Sequence, residues 1–275
     1  MASINPVATN GFAKGALYDQ HRPTYPAEAV SSLLTHLGLA DKRGGKIVDL
    51  GAGTGKFTEA LAAREEGFEV VAVEPLDSMR DVLAAKGLKG VVTKDGTATD
   101  TGLEAGWADA VIVAQAFHWF ATEEALAEIH RVLKPGGKMA VIWNVDEYNR
   151  PKDWPATTNW EKEMGDYVAN TAVDQLTTRF RDNRWPAVFD VQAKRGKPFF
   201  STPIKSETTS WSINVTRDGL VDRISTLSHI AMMEGEDRKA FEKKVDEILD
   251  GDVKKDEQGR IEAHGLTYFA WTERL

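Results

Sequence analysis

The sequence predicts an α/β fold built on a mostly parallel sheet. Two observations carry that prediction. Short apolar runs at 46–50, 69–73 and 90–93 alternate with helical patterns at 56–66 and 77–86. Strands separated by single helices imply right-handed crossovers between parallel neighbours. The run Val48-Asp49-Leu50-Gly51-Ala52-Gly53-Thr54-Gly55 then joins the first strand to the first helix with glycine at every second turn position. Glycine adopts backbone conformations closed to other residues and leaves no Cβ in the path of a ligand. A strand, a glycine-rich turn and a helix start are together suited to holding a nucleotide.

Composition narrows the options. A chain of 275 residues accommodates one large α/β domain with an insertion, or two small domains. Apolar residues make up 42%, enough for a full core. The net charge of −8, from 34 basic and 42 acidic residues, argues against broad contact with nucleic-acid backbones. It leaves room for a small basic pocket. Cysteine is absent, which excludes disulfides, a thiolate nucleophile and a cysteine-zinc site. The first residues lack an apolar leader and no run of 18 apolar residues occurs, so a cytoplasmic protein without a membrane partner is expected. A small-molecule substrate is expected, no metal, and a monomer or homodimer.

The elements follow in order. Residues 11–26 form a loose piece ending in Arg22-Pro23 and Tyr25-Pro26, whose prolines hold their predecessors extended. This piece precedes the first strand and can lie across an open site. Pro26 to Leu39 reads as an amphipathic helix with Val30, Leu33, Leu34 and Leu37 on one face. The second strand ends in Glu74, placed to accept both hydroxyls of a ribose. Asp49 sets a second acid beside the same turn. The glycine spacing is GxGxG, not GxGxxG, and two carboxylates are a poor flank for a pyrophosphate. A cationic, phosphate-free nucleoside such as S-adenosylmethionine suits them better.

Ala108 to Ala114 is the fourth strand and empties into Gln115-Ala116-Phe117-His118-Trp119-Phe120. Ligands bind outside the carboxyl ends of strands in open α/β sheets. There His118 is a candidate general base, and the Trp119 face could attract a sulfonium. Both residues could equally pack helix 121–133 on the sheet. Lys134-Pro135-Gly136-Gly137 ends that helix, and Met139 to Trp143 is the fifth strand. Asn144 to Pro203 departs from a minimal fold. It carries Trp154, Trp160, Trp185, a helical stretch at 158–181, and Arg150, Lys152, Arg179, Arg181 and Arg184. Arginines in such a roof suit a carboxylate through bidentate bonds, and a solvated face explains them as simply. Ser206–Val215 reads as strand six. A helix capped at Thr216 runs to Ser228, His229 is a second candidate base, a helix spans 236–250, and the last strand runs from Arg260 to Arg274.

Five blocks, VDLGAGTG (48–55), VAVEP (71–75), KDGTA (94–98), AQAFHWF (114–120) and RVLKPGGKMAVIW (131–143), occur in one order over about residues 45 to 145. In them the chain resembles the class I S-adenosylmethionine-dependent methyltransferases. The segment around Tyr18, Arg22 and Tyr25 is similar to the Y-x(3)-RP-x-YP lid of a subgroup that includes trans-aconitate-type and fungal small-molecule methyltransferases. The resemblance implies a Rossmann-like class I methyltransferase fold of seven strands, the last antiparallel between strands five and six, with a helical cap inserted after strand five. It implies S-adenosyl-L-methionine held by Tyr18, Arg22, Asp49, Gly51, Ala52, Gly53, Gly55, Glu74, Pro75, Asp95, Gly96, Thr97, Gln115 and Ala116. His118 is then the catalytic candidate, and Tyr25, Trp119, Trp143 and Trp154 line the substrate. Residues 1–40 become a lid and helix, 41–143 with 204–275 the core, and 144–203 a substrate cap. The expected reaction is methyl transfer to a small molecule, with a carboxylate or hydroxyl oxygen favoured. Two alternatives are a protein or RNA methyltransferase and a cofactor-binding protein with other chemistry.

Overall fold

The structure of the chain, a computed structural model, describes residues 24–171 and 179–275. In chain order the elements are α1 (Ala27–Leu37), β1 (Lys46–Leu50), α2 (Lys56–Ala62), β2 (Glu69–Val73), α3 (Asp77–Ala85), β3 (Val91–Lys94), β4 (Ala108–Ala114), α4 (Glu123–Val132), β5 (Leu133–Asp146), α5 (Asn159–Asn170), α6 (Ala187–Ala193), β6 (Lys205–Val215), α7 (Arg217–Ser225), α8 (Ser228–Ala231), α9 (Gly235–Leu249) and β7 (Ile261–Glu273). The strands form one sheet in the order β3-β2-β1-β4-β5-β7-β6. β1 to β5 pair in parallel, and β7 runs antiparallel between β5 and β6. The order reverses between β1 and β4, and the loops leaving their carboxyl ends therefore meet. No helix among the described residues is long and apolar enough to cross a membrane.

Both faces of the central strands are buried, as parallel sheets require. On β1, Ile47 points to the side covered by α1 and α2, where Val30, Leu33, Leu34, Phe57 and Leu61 pack. Val48 and Leu50 point to the other side, covered by Leu126 and Ile129 of α4 and by Val188 and Phe189 of α6. Thr122 and Thr158 cap α4 and α5 by accepting the backbone N–H groups of Ala125 and Glu161, the role short hydroxyl side chains take at helix starts.

Three elements differ from the sequence expectation. β5 is much longer than Met139–Trp143 because β7 accompanies it from Lys138 opposite Glu273 to Asp146 opposite Gly265. The Lys134–Gly137 turn lies inside this strand, and α4 stops at Val132. The helix expected over 158–181 ends at Asn170, and the one expected to reach Ser228 ends at Ser225, with α8 following as a separate short helix. Residues 144–203, expected to form a substrate cap, pack with later elements of the chain. Trp160, Met164 and Val168 of α5 share one apolar cluster with Leu220 and Ile224 of α7, Ile230 of α8, and Phe241, Val245 and Ile248 of α9. Each of these helices has one apolar face, and they cover one another. Glu161, fully buried at the start of α5, ties this group to β7 by accepting the His264 N–H and the Thr158 hydroxyl, both at 2.6 Å.

Gly265 marks where β7 is squeezed between its neighbours. A Cβ there would lie 2.2 Å from the Trp211 ring and 2.7 Å from the Val145 carbonyl oxygen. The indole of the edge strand fills the space that a side chain on β7 would take. Gly265→Ala should therefore lower stability by about 1–3 kcal/mol through overpacking, measured by denaturant unfolding. Adding Trp211→Ala should relieve part of that loss, and strict additivity of the two would contradict the contact.

Candidate active site

The turn after β1 is held by β2. The N–H groups of Gly51 and Ala52 both donate to the Val73 carbonyl, at 2.8 and 3.1 Å. Gly51, Gly53 and Gly55 have φ of +72°, +56° and +88°, in the region that L side chains rarely enter. Their surroundings differ. A Cβ on Gly51 would lie 2.9 Å from the Ala116 Cβ, and one on Gly55 would lie 2.2 Å from Leu83. These two are glycine so that the loops and α3 can close on each other. At Gly53 the only atom among the described residues within 4 Å of a Cβ position is the Met79 sulfur, at 3.6 Å, so among those residues this is the glycine left uncrowded.

The two predicted acids flank that opening. Glu74 is 5% exposed and accepts the N–H groups of Gly53 and Leu76, each at 2.9 Å. Burial raises its pKa, against those two hydrogen bonds and the Arg80 charge. Asp49 is fully buried. Thr58 donates to its Oδ2 at 2.6 Å, while its Oδ1 has no partner among the described residues. Burial pushes its carboxyl up to about 7, with Thr58 opposing and the Glu74 charge adding. A carboxylate oxygen buried without a donor is costly, and a cationic or N–H-bearing ligand would relieve it.

The other expected cofactor residues divide. Asp95 is exposed beside Arg80, 3.4 Å away. Gly96 is packed on Val73, with 2.9 Å from a Cβ position to its Cγ1, and Thr97 closes a turn with Asp100. Pro75 lies between Glu74 and the start of α3. Gln115 has φ +60°, uncommon for a residue with a side chain. Its N–H donates to the Ile142 carbonyl and its side-chain amide to the Asn144 carbonyl, at 2.8 and 3.0 Å. Asn144 was not singled out from sequence, yet it joins three segments. It donates to the Thr24 carbonyl at 3.1 Å, accepts the Thr267 hydroxyl at 2.6 Å, and receives Gln115. Thr24, the first described residue, therefore lies beside the carboxyl ends of β4 and β5. Tyr18 and Arg22 lie outside the described residues. Tyr25 is buried edge-on against Phe57, 5.0 Å between ring centres, so its ring supports α2.

His118 sits on a single 3₁₀ turn, Phe117–Trp119, directly past β4. The Trp143 Nε1–H donates to its Nδ1 at 3.2 Å. Trp119 lies 5.1 Å from it, ring centre to ring centre. Trp143, expected to line the substrate, is only 1% exposed and sits beneath a group of rings: Phe180 at 4.7 Å, Trp185 at 4.9 Å and Tyr268 at 6.3 Å. Trp154 reaches the same group through Phe180, at 5.8 Å. Among the arginines of the insertion, Arg150 is spent on the Trp154 and Glu147 carbonyls. Arg184 and Lys152 are exposed. His229 is buried in the cap and is held far below its usual pKa, at about 3, by burial and by Arg179 and Arg181. That position makes it no general base near neutrality.

Comparison with known proteins bears on the family and the fold. A methyltransferase-domain family profile matches residues 48–141. An uncharacterized methyltransferase of Mycobacterium bovis is 34% identical over 219 residues, covering 80% of this chain and 76% of its own length. Among solved structures, the YcgJ protein of Bacillus subtilis aligns over 88% of this chain and 97% of its own, with 18% identity and a TM-score of 0.54. Phosphoethanolamine N-methyltransferase 2 of Haemonchus contortus, solved with S-adenosyl-L-methionine, aligns over 96% of this chain and 57% of its own, with 18% identity and a TM-score of 0.51. The two structural likenesses establish the fold, and the bacterial relative, similar over most of both chains, establishes more. The chain belongs to the class I S-adenosylmethionine-dependent methyltransferases and is an enzyme whose cofactor is S-adenosyl-L-methionine.

Proposed function

We propose that this methyltransferase acts on an oxygen of a small molecule, a carboxylate in preference to a hydroxyl, beneath the cap at 144–203 and its partner helices. The observation that carries this reading is the Trp143–His118 hydrogen bond. An indole N–H only donates, so Nδ1 holds a lone pair and the hydrogen of the neutral ring sits on Nε2. A ring in that tautomer offers a hydrogen bond to an acceptor and does not remove its proton. The general-base role expected of His118 is therefore replaced by a donor role. A carboxylate is already ionised near neutrality and needs no base, whereas a hydroxyl does.

The site fits the cofactor on the chain's own terms. Asp49, with a buried Oδ1 that has no partner among the described residues, suits a cationic group. Glu74 keeps a second lone pair on each oxygen for ribose hydroxyls, and Gly53 leaves room for their approach. When bound, the cofactor supplies an electrophilic methyl group on a sulfonium. The residues around it align the acceptor and exclude water, contributions that reach roughly 7–11 kcal/mol in well-oriented reactions. The test is incubation with methyl-labelled cofactor and a set of small carboxylic acids. Label released as methanol by mild alkali marks a methyl ester, and alkali-stable label throughout would refute the carboxylate reading.

Three variants give expected outcomes. Glu74→Gln should weaken binding of S-adenosylhomocysteine by about 1–3 kcal/mol, and unchanged affinity by calorimetry would contradict the ribose assignment. Asp49→Asn tests the buried acid. Its raised pKa means that the folded chain binds the proton more tightly than the unfolded one, so this group makes wild-type stability fall as pH rises from about 4 to about 7. The variant should gain stability over wild type across that window, most at pH 8, while losing cofactor affinity; a gain independent of pH would be the opposing result. His118→Gln keeps an N–H near the Nε2 position and should hold kcat within about tenfold of wild type, against the 10²–10⁴-fold loss that follows removal of a base.

A further inference from the structure

We propose that Arg181, with Arg179 and His229, forms an anion-binding subsite in the cap that takes a second negatively charged group of the substrate, carboxylate or phosphate. The inference rests on the small-molecule reading above. Phe180, between the two arginines, packs tilted against Trp143 with ring centres 4.7 Å apart, and Trp143 is the indole that bonds His118. The turn at Phe180–Asp182 therefore lies over the aromatic group next to the site.

Two half-buried or buried arginines in the cap differ in their partners. Arg223, on α7, is paired with Asp146 at 2.8 Å, and the Asp146 charge supports its own. Arg181 makes one hydrogen bond, to Asn149 Oδ1 at 3.2 Å, and no ion pair among the described residues. Burial and the neighbouring Arg179 push it down to about 10, with Asp182 opposing. Asp182 is exposed and its carboxylate is engaged with the Arg179 N–H at 2.9 Å.

His229 comes to the same place from α8. It is 5% exposed, its ring bonds the Val168 backbone, and its Nε2 is buried without a partner among the described residues. Burial keeps it neutral, and the charges of Arg179 and Arg181 add to that effect. A fold that buries positive charge beside an unpartnered ring nitrogen is incomplete by itself. Guanidinium forks match carboxylate and phosphate oxygens. The Nε2 lone pair accepts an O–H of the same group or of an adjacent hydroxyl.

The test compares the thermal unfolding of the full chain in succinate, in inorganic phosphate and in sodium chloride at equal ionic strength. The proteins are wild type, Arg181→Met, and Arg184→Met as an exposed control from the same segment. In wild type and Arg184→Met, about 10 mM succinate or phosphate should raise the midpoint beyond the chloride value by roughly 2–4 °C. The more effective anion names the group. In Arg181→Met that rise should vanish, and in chloride alone this variant should be at least as stable as wild type, because the uncompensated buried charge is gone. An equal anion response in Arg181→Met overturns the subsite, as does the absence of a response in wild type. A chloride midpoint for Arg181→Met well below the control also overturns it, since Arg181 would then be a structural tie to Asn149. The shift produced by S-adenosylhomocysteine, read on the same proteins, reports cofactor binding separately, so failure of the subsite and failure of the transferase reading are distinguishable.

Discussion

Gly51 and Ala116 set the spacing of the site. The loops leaving β1 and β4 approach until a Cβ on Gly51 would stand 2.9 Å from that of Ala116. That contact allows the two strands at the reversal of the sheet order to present their ends side by side. It also forces the chain to turn sharply after Ala114, which puts Gln115 at φ +60°. Such a conformation costs on the order of 1 kcal/mol or more. It is held by the bonds from Gln115 to Ile142 and to Asn144. Asn144 then fixes Thr24 and Thr267. One close approach thus determines the course of β4, the end of β5 and the position of Thr24.

The order of the fold, and with it the loops that make the candidate site, were legible because their signals are local. The alternation of strand and helix, the glycine turn and Glu74 at a strand tip can each be read within a dozen residues. What was not legible depends on partners far away in sequence. The length of β5 is set by β7, and the Lys134–Gly137 turn inside it resembles a simple helix end. The cap helices α5 and α9 have ordinary amphipathic faces, and nothing in either names the other. Asn144 reads in sequence only as the start of the insertion after strand five, since its role needs Thr24, Gln115 and Thr267 together. The three glycines of the turn look alike in sequence, yet two serve packing and one is left uncrowded among the described residues. His118 and Trp143 both carried signals for the site, but their mutual hydrogen bond, on which the proposed donor role of His118 rests, depends on side-chain directions that no spacing rule supplies.

The charges around the site are arranged in two groups of opposite sign. Asp49 and Glu74 lie under the loops of β1 and β2, and burial holds both above their ordinary pKa values. Arg181 supplies the positive charge beside the neutral His229, and burial holds both below their ordinary pKa values. Each group is electrostatically unfavourable in the free fold, and each would be relieved by a ligand of the opposite charge. On the proposed reading the cationic cofactor meets the acids and an anionic acceptor meets the cap. Transfer between a sulfonium and a carboxylate turns two charged groups into two neutral ones. A covered, water-poor space opposes the charged pair more than the neutral products, so the aromatic roof over Trp143 would favour the reaction it encloses. The same roof would hinder a neutral hydroxyl acceptor, which must shed a proton where His118 already holds one on Nε2. The tautomer of one histidine and the dryness of the cap thus favour the same acceptor.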